Sequence, residues 1–488
     1  MSSRRIAGIA VAALYALLAL GWFAGLCLEK YYLSRLERYF DAMPGRITIA
    51  AIEVFPFKSE ARLTDFSAEF TDARGGRHFV TADTLVLTGL NFSAEGEAAV
   101  ANLASRLEAE SVFLHYGGPD FANQRMELEL SIAQVDLRDL RGNLAHMKKT
   151  VIEDYAAEPV HTLLSTVESG SGVLSNAVFK SHSLGGTLEA GSAVLSFDAM
   201  RTGEARNLAS DGLYLRFQNN DMTRIGKLRL GFLHVPEVRP LPPEMGMDFT
   251  MAIFEKLRRD PIRCDALFVE DFILYQPGGP AFSVGQVNAD IRLGTEEGSI
   301  VAGMQRIALP GDLLPTYDGR SVDREFAVSA EIDARLHKKQ SAPGRIELAK
   351  FLLSEPGLGH LSVSGEFLFS SRLTVLEFML ESWDSDILVR RCVVSLTDKG
   401  IVDHLLTGAA TSSEAAADIR AKQAAQFSNE AEKTHDPDQR VFTEGLAALV
   451  AEPGTLRLTI SPKDPVRLDN LFGWNTPPLN LKAVFSSD

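Results

Sequence analysis

At 488 residues the chain is long enough for two or three packing units, and 45% apolar with 23% charged residues describes a folded body rather than a disordered tail. A formal net charge of −15 argues against nucleic acid or another polyanion as the main partner. Three cysteines with no CxxC spacing leave thiol-redox and structural-zinc chemistry without a motif.

Residues 1–5 are expected to form a short cytoplasmic tip with Arg4 and Arg5, and Ile6 to Leu28 then contains no Asp, Glu, Lys, Arg or His. As a helix rising 1.5 Å per residue, a run of about 23 residues crosses a ~30 Å hydrocarbon core. We read 6–28 as an uncleaved membrane anchor, with Ile6, Leu14, Leu20 and Leu28 marking its length. A cleaved signal has a shorter apolar core and a small-x-small site, which Trp22-Phe23-Ala24-Gly25-Leu26 does not offer. Leu26 also stands where a lipoprotein signal has Gly or Ala before its cysteine, here Cys27. Glu29-Lys30-Tyr31-Tyr32 closes the run with interfacial residues. Beyond it, Leu33, Leu36 and Phe40 share a face opposite Arg35 and Arg38, predicting an amphipathic juxtamembrane helix over 29–44. Cation counting alone does not put the C-terminal body outside, but large domains translocate largely regardless of charge. The expected location is the inner membrane of a Gram-negative bacterium, single-pass, with the bulk of the chain in the periplasm.

Period-two alternation dominates the body. Ile47–Ile49, Arg62–Phe70, Thr84–Leu87, Met126–Ile132, Gly212–Phe217 and Lys227–Phe232 read as strands, as do Phe326–Ile332, Leu361–Phe367 and Thr455–Ile460. The expected fold class is α+β, predominantly antiparallel β with a few helices, preceded by the transmembrane helix. A first β-rich module is expected over 45–200, a second over 201–400, and a helical insert with a C-terminal β segment over 401–488. Helices are expected at Val100–Leu107, Leu137–Glu168 (ending at a flexible Ser169-Gly170-Ser171-Gly172 break), Phe249–Arg258 and Leu348–Leu353. Thr411-Ser412-Ser413-Glu414 is a capping-box pattern before a solvated helix over Ala415–Ala431, and Asp436-Pro437-Asp438 opens another that ends near Glu452-Pro453-Gly454. A GGPxF phrase occurs twice, at Gly117–Phe121 and Gly278–Phe282, each after a strand and before another, which points to a repeated module.

Chemistry is not announced. No HExxH, Walker, GxGxxG, GxSxG or calcium-loop spacing is present, and none of the ten histidines is paired at i, i+4 on a helix. His404 beside Asp403 reads as helix-surface chemistry. Cys264 and Cys392 are the one bridge possible outside the anchor, and isolated thiols of this kind are more often buried small apolar residues. No catalytic residue, metal or cofactor is expected, nor an enzyme.

Trp22-Phe23-Ala24-Gly25 at the outer end of one span, before a β-rich body, resembles the YdgA-like family of anchored periplasmic proteins. Leu63-Thr64-Asp65-Phe66, followed by Ala82-Asp83-Thr84-Leu85-Val86-Leu87, is similar to the opening module of AsmA-like proteins. That resemblance, carried by the first ~110 residues, implies a role in envelope homeostasis and glycerophospholipid traffic along an apolar sheet face. The chain is too short to bridge two membranes, so a membrane-proximal role in lipid binding or transfer is the expectation. The candidate face is Phe66, Leu85, Leu87, Leu128, Leu130, Leu213, Leu215, Leu228 and Leu230, and the expected partners are the bilayer, a phospholipid ligand and other envelope proteins. A non-catalytic envelope scaffold with closed sheet faces is the alternative, and an enzyme of unrecognised type a second. A closed sandwich would bury Phe66, Leu85, Leu128, Leu213, Leu228, Val363 and Leu458 alike; an open face would not.

Overall fold

The computed structural model describes residues 29–31, 33–34, 45–71, 75–89, 101–119, 125–142, 167–183, 186–201, 203–218, 221–236, 257, 259–276, 279–309, 326–339, 342–370, 372–375, 378, 387–407, 416–468, 471 and 478–487. The anchor expected over 6–28, the Thr411 capping box and most of Phe249–Arg258 lie outside these residues. Glu29–Tyr31, Leu33 and Ser34 are helical, and the rest of the helix expected over 29–44 lies outside the described residues. Among the described residues no helix is long and apolar enough to cross a membrane. The chain divides into two compact units between Asn220 and Asp221.

In the first unit β1 (Arg46–Thr48) and β2 (Ala51–Phe55) both pair with β3 (Glu60–Thr71). An antiparallel sheet continues through β4 (Arg77–Thr88), β5 (Ala101–Pro119) and β6 (Arg125–Gly142). β6 pairs with both β7 (Val167–Glu168) and β8 (Ser171–Ser183). β9 (Gly186–Phe197) joins β8 to β11 (Glu204–Phe217), with the short β10 (Ala199–Arg201) hairpinned onto β11. Of the helices expected at 100–107 and 137–168, residues 101–107 lie in β5, 137–142 in β6 and 167–168 in β7, all of them strand, while 100 and 143–166 lie outside the described residues. Their mixed composition fits either period over a short window, and cross-strand pairing decides for strand. Nor is 169–172 a flexible break. Gly172 enters β8 so close to its neighbours that a Cβ there would lie 2.3 Å from the Phe197 ring and 2.6 Å from Leu137.

A crease crosses this sheet. Asp65, Ser111, Asn176 and Gly212 have φ of 50°, 54°, 49° and 65°, and they sit in β3, β5, β8 and β11, every second strand of the order β3-β4-β5-β6-β8-β9-β11. The ladder skips Asp65 opposite Asp83, Ser111 opposite Ala133, Ala133 opposite Asn176, and Asn176 opposite Ala193, yet resumes in the same register beyond. Side-chain alternation therefore slips by one residue on all seven strands at one line. Residues three apart, Ala109 with Val112, Ile132 with Val135 and Leu174 with Ala177, share a single apolar cluster that strict alternation would split between faces. Asp, Asn, Ser and Gly supply the positive φ at low cost.

The second unit repeats the device. β12 (Met222–His234), β13 (Ile262–Gln276), β14 (Gly279–Leu293), β15 (Glu297–Leu309), β16 (Phe326–His337), β17 (Gly344–Glu355), β18 (Gly359–Phe369) and β19 (Leu388–Asp398) pair in sequence. Asp271 in β13 and Arg306 in β15 have φ of 55°, and Val284 clusters with Val287 and Met304 with Ile307 across the slip. Ser111 lies six residues before Gly117, whereas Asp271 lies seven before Gly278, and the register also shifts between Leu274 and Tyr275, where Ala281 of β14 is the extra residue. The GGPxF repeat is thus a repeat of creased hairpins, with Gly117 and Gly118 inside β5 rather than in a turn. Leu348–Leu353, expected as helix, lies in β17.

Helices α1 (Ile401–Thr407), α2 (Ala416–Lys433) and α3 (Pro437–Ala451) follow β19, and β20 (Gly454–Ile460), β21 (Val466–Arg467) and β22 (Lys482–Ser487) complete the sheet. Asp436 caps α3 by accepting from the Asp438 and Gln439 N–H groups. α2 is not solvated on every face: Ile419, Arg420, Ala424 and Ala431 are buried. Its Ala424 joins Val402, Leu449 and Val450 over Leu456 and Leu458 of β20.

One buried ion pair ties the three helices. The Asp398 carboxylate, 0% exposed, accepts from the N–H groups of Gly400 and Val402 at the start of α1. Arg420 donates to Asp398 at 2.8 Å, to Asp403 at 2.5 Å and to the Val450 carbonyl at 3.2 Å. Burial alone would lower the guanidinium pKa, but the carboxylates of Asp403 and Asp398 outweigh it and raise it. Arg420→Ala should cost about 3 kcal/mol by leaving Asp398 buried without its cation, lowering the urea midpoint of the second unit. At the crease, Asp65→Val should destabilise the first unit by about 1–2 kcal/mol, whereas Asp65→Gly should change its urea midpoint far less.

Candidate functional site

Because the slip is shared, one face of the first unit stays apolar from end to end. On one side of the crease run Ala61-Leu87-Leu107-Leu137-Gly172-Phe197 and Leu63-Leu85-Ala109-Val135-Leu174-Leu195. At the crease come Phe66, Ala82, Val112, Ile132, Ala177, Ser192 and Leu213. Beyond it lie Ala68-Val80-Leu114-Leu130-Phe179-Ala190-Leu215 and a rim row of His78, Tyr116, Leu128, Ser181, Leu188 and Phe217. The structure therefore brings Phe66, Leu85, Leu87, Leu128, Leu130, Leu213 and Leu215 onto one face. Leu228 and Leu230 occupy the corresponding apolar face of the second unit, beside Val269.

Burial falls across the crease. Ala61, Leu63, Ala109, Val135, Gly172 and Phe197 are buried, whereas every described residue of the last two rows is half-buried or exposed, Phe217 at 43%. No helix or second sheet packs over these rows among the described residues. Of the seven residues that a closed sandwich would bury alike, Leu458 is buried at 7% exposure, beneath the helices; Phe66, Leu85, Leu128, Leu213, Leu228 and Val363 are all half-buried. In the second unit, the helices cover β20 and β22, and Val375 and Phe378 cover Leu336 and Phe369. Ser192 and Ser210 intrude at the crease of the first unit, and their hydroxyls satisfy each other at 2.7 Å.

The opposite face is built for water. Arg106 holds Asp136 through two 2.9 Å bonds, and this hydrogen bonding lowers the Asp136 pKa. Lys227 pairs with Glu270 at 2.8 Å, and Glu366 accepts from Arg345 at 3.0 Å and Arg390 at 2.6 Å. These are cross-strand pairs on exposed surface, where solvent screens the attraction and each adds little to stability.

Among the described residues no group of three His, Cys, Asp or Glu side chains converges as a metal site. Asp403, adjacent to His404 in sequence, is a partner of Arg420. Cys264 and Cys392 are both free thiols, in β13 and β19. Burial pushes the Cys392 thiol up to about 11 and raises that of Cys264.

A family model described only as an uncharacterized protein matches residues 360–485, which run from β18 through the helices to β22. No curated protein matches the chain.

With a pKa near 11, Cys392 is ionised in about one molecule per thousand at pH 8. Its alkylation by iodoacetamide, followed by peptide mass mapping, should therefore run about two orders of magnitude slower in the folded chain than in urea. The rate should climb about tenfold per pH unit, up to the shifted pKa.

Proposed function

We propose that the chain is a membrane-anchored, non-catalytic periplasmic protein of the cell envelope whose creased apolar sheet face binds the acyl chains of lipid. The observation that carries this reading is the pair of rows beyond the crease, in which Leu114, Leu130, Phe179 and Leu215 lie on one face, half-buried, with no described protein element over them. A contiguous apolar surface of this kind marks a site of contact with an apolar partner. The uncharged segment 6–28 supports the bilayer as the source of that partner. The resemblance of Leu63–Phe66 and Ala82–Leu87 to AsmA-like modules supports lipid as the partner, and these two phrases are the crease itself, as it crosses β3 and β4.

Photo-crosslinking side chains placed in the full chain, expressed in a Gram-negative host, test the reading. Lipid adducts are expected from positions 130 and 215, on the apolar face, and not from 131 and 216 on the other. Protein adducts alone at 130 and 215 would instead establish the alternative, an envelope scaffold whose apolar face is covered by another protein.

A further inference from the structure

Near the strand ends, the water-facing side of the first unit carries a gap. Arg77, Gly117, Glu127 and His182 stand side by side on β4, β5, β6 and β8. They lie one position along from the apolar row of His78, Tyr116 and Leu128, and so on the opposite face. Gly117 therefore leaves a bare position between Arg77 and Glu127, about 10 Å across at two strand spacings. Its φ is not positive, so the backbone does not call for glycine there. A Cβ would lie 3.3 Å from His115 Cε1, against the edge of the imidazole. The bare position floors a cleft of about 490 Å³, lined by Arg77, His115, Arg125 and Glu127 with Gly75 and Gly118.

Charge in the cleft is unbalanced. Arg125 donates to Glu127 at 2.7 Å, and these two charges offset each other. Arg77 makes no ion pair or hydrogen bond through its side chain among the described residues. Two guanidiniums thus meet one carboxylate, in a chain whose net charge is −15. What the cleft lacks is an anion. β4, β5 and β6 each bring one nitrogen-bearing side chain to it: Arg77, His115 and Arg125. A carboxylate has two oxygens to receive such donors, whereas a phosphate ester has three. Guanidinium donors are planar and match phosphate oxygens in pairs. The volume lies within the range of small-molecule sites, about 300–1,000 Å³, and leaves room for more than a bare ion.

We infer that this cleft on the polar face binds the phosphate group of a small polar ester, with Arg77, His115 and Arg125 around it and Gly117 as the open floor. The site does not rest on the lipid-binding reading, because the acyl-binding rows lie on the other face. The ester reaches the cleft either dissolved in water or as a headgroup at a membrane surface, and the phosphate chemistry is common to both.

Titration calorimetry on the full chain in neutral detergent micelles tests the site, with glycerol 3-phosphate as the probe and glycerol as its uncharged counterpart. Glycerol 3-phosphate should bind and glycerol should not. Arg77→Ala, which breaks no contact among the described residues, should weaken binding about tenfold and leave the urea midpoint of the first unit unchanged. Gly117→Leu, which fills the floor, should abolish binding. Glu127→Gln, which releases Arg125, should tighten it severalfold, a gain that a purely structural role would not produce. The same titration in phosphatidylcholine nanodiscs separates the two sources, because those headgroups bring phosphate without net charge. Weaker binding there than in detergent would assign the site to headgroups, and equal binding would assign it to a dissolved ester. No binding of glycerol 3-phosphate, or binding indifferent to Arg77 and Gly117, would overturn the site and leave the lipid reading untouched. Inorganic phosphate binding as tightly as the ester would overturn the organic ligand in favour of the bare ion.

Discussion

Everything in the first unit depends on seven strands slipping together. A β-strand presents alternate residues to opposite faces, so one extra residue in a single strand would turn half of its leucines outward. Here the residue is inserted into each of β3, β4, β5, β6, β8, β9 and β11 at the same transverse line, and the pairings on either side remain in register. The apolar face is preserved because the fault is shared. Placing the left-handed residues on alternate strands lets each kinked backbone lie beside a neighbour that does not adopt positive φ at that line.

The second constraint is how that face ends. In the second unit a helical hairpin, locked by Asp398 and Arg420, lies over the last strands and dries the surface beneath it. Lone buried ion pairs contribute little net stability, since desolvation offsets attraction. Their value is geometric: Arg420 reaches α1, the end of α3 and the strand end at Asp398 from one side chain, and so fixes where the cover sits. The family match begins in β18 and spans this cover and its strands, about a quarter of the chain (485 minus 359, of 488). In the first unit the rows beyond the crease have no such cover among the described residues.

Much of the sheet was legible, but often in halves. Met126–Ile132 reads as a strand up to the slip at Ala133 and is lost beyond it; Thr84–Leu87 is legible only on one side of Asp83, and Gly212–Phe217 only after Gly212. Each fault falls where alternation changes phase, and a period-two reading has no term for that. From Leu137 onward, where apolar residues follow a slip, the same shift imitated a helical period. In Leu63-Thr64-Asp65-Phe66 the two apolar residues are three apart because the crease lies between them. The candidate leucines proved to share faces, since each was chosen from within one phase. The end of β5 was hidden, because Gly117-Gly118-Pro119 reads as an ordinary turn until the neighbouring strand brings Gly76 against it.

The crease also restricts how a sheet like this can change length. A single residue added to or deleted from β5 or β6 would need a matching change in each neighbour, and then in theirs, across the whole width. A complete hairpin added at an edge needs no such agreement, provided it carries its own slip at the same height. Viable length changes in this sheet should therefore come in units of paired strands, and tolerance to one-residue insertions should be confined to the connections between them.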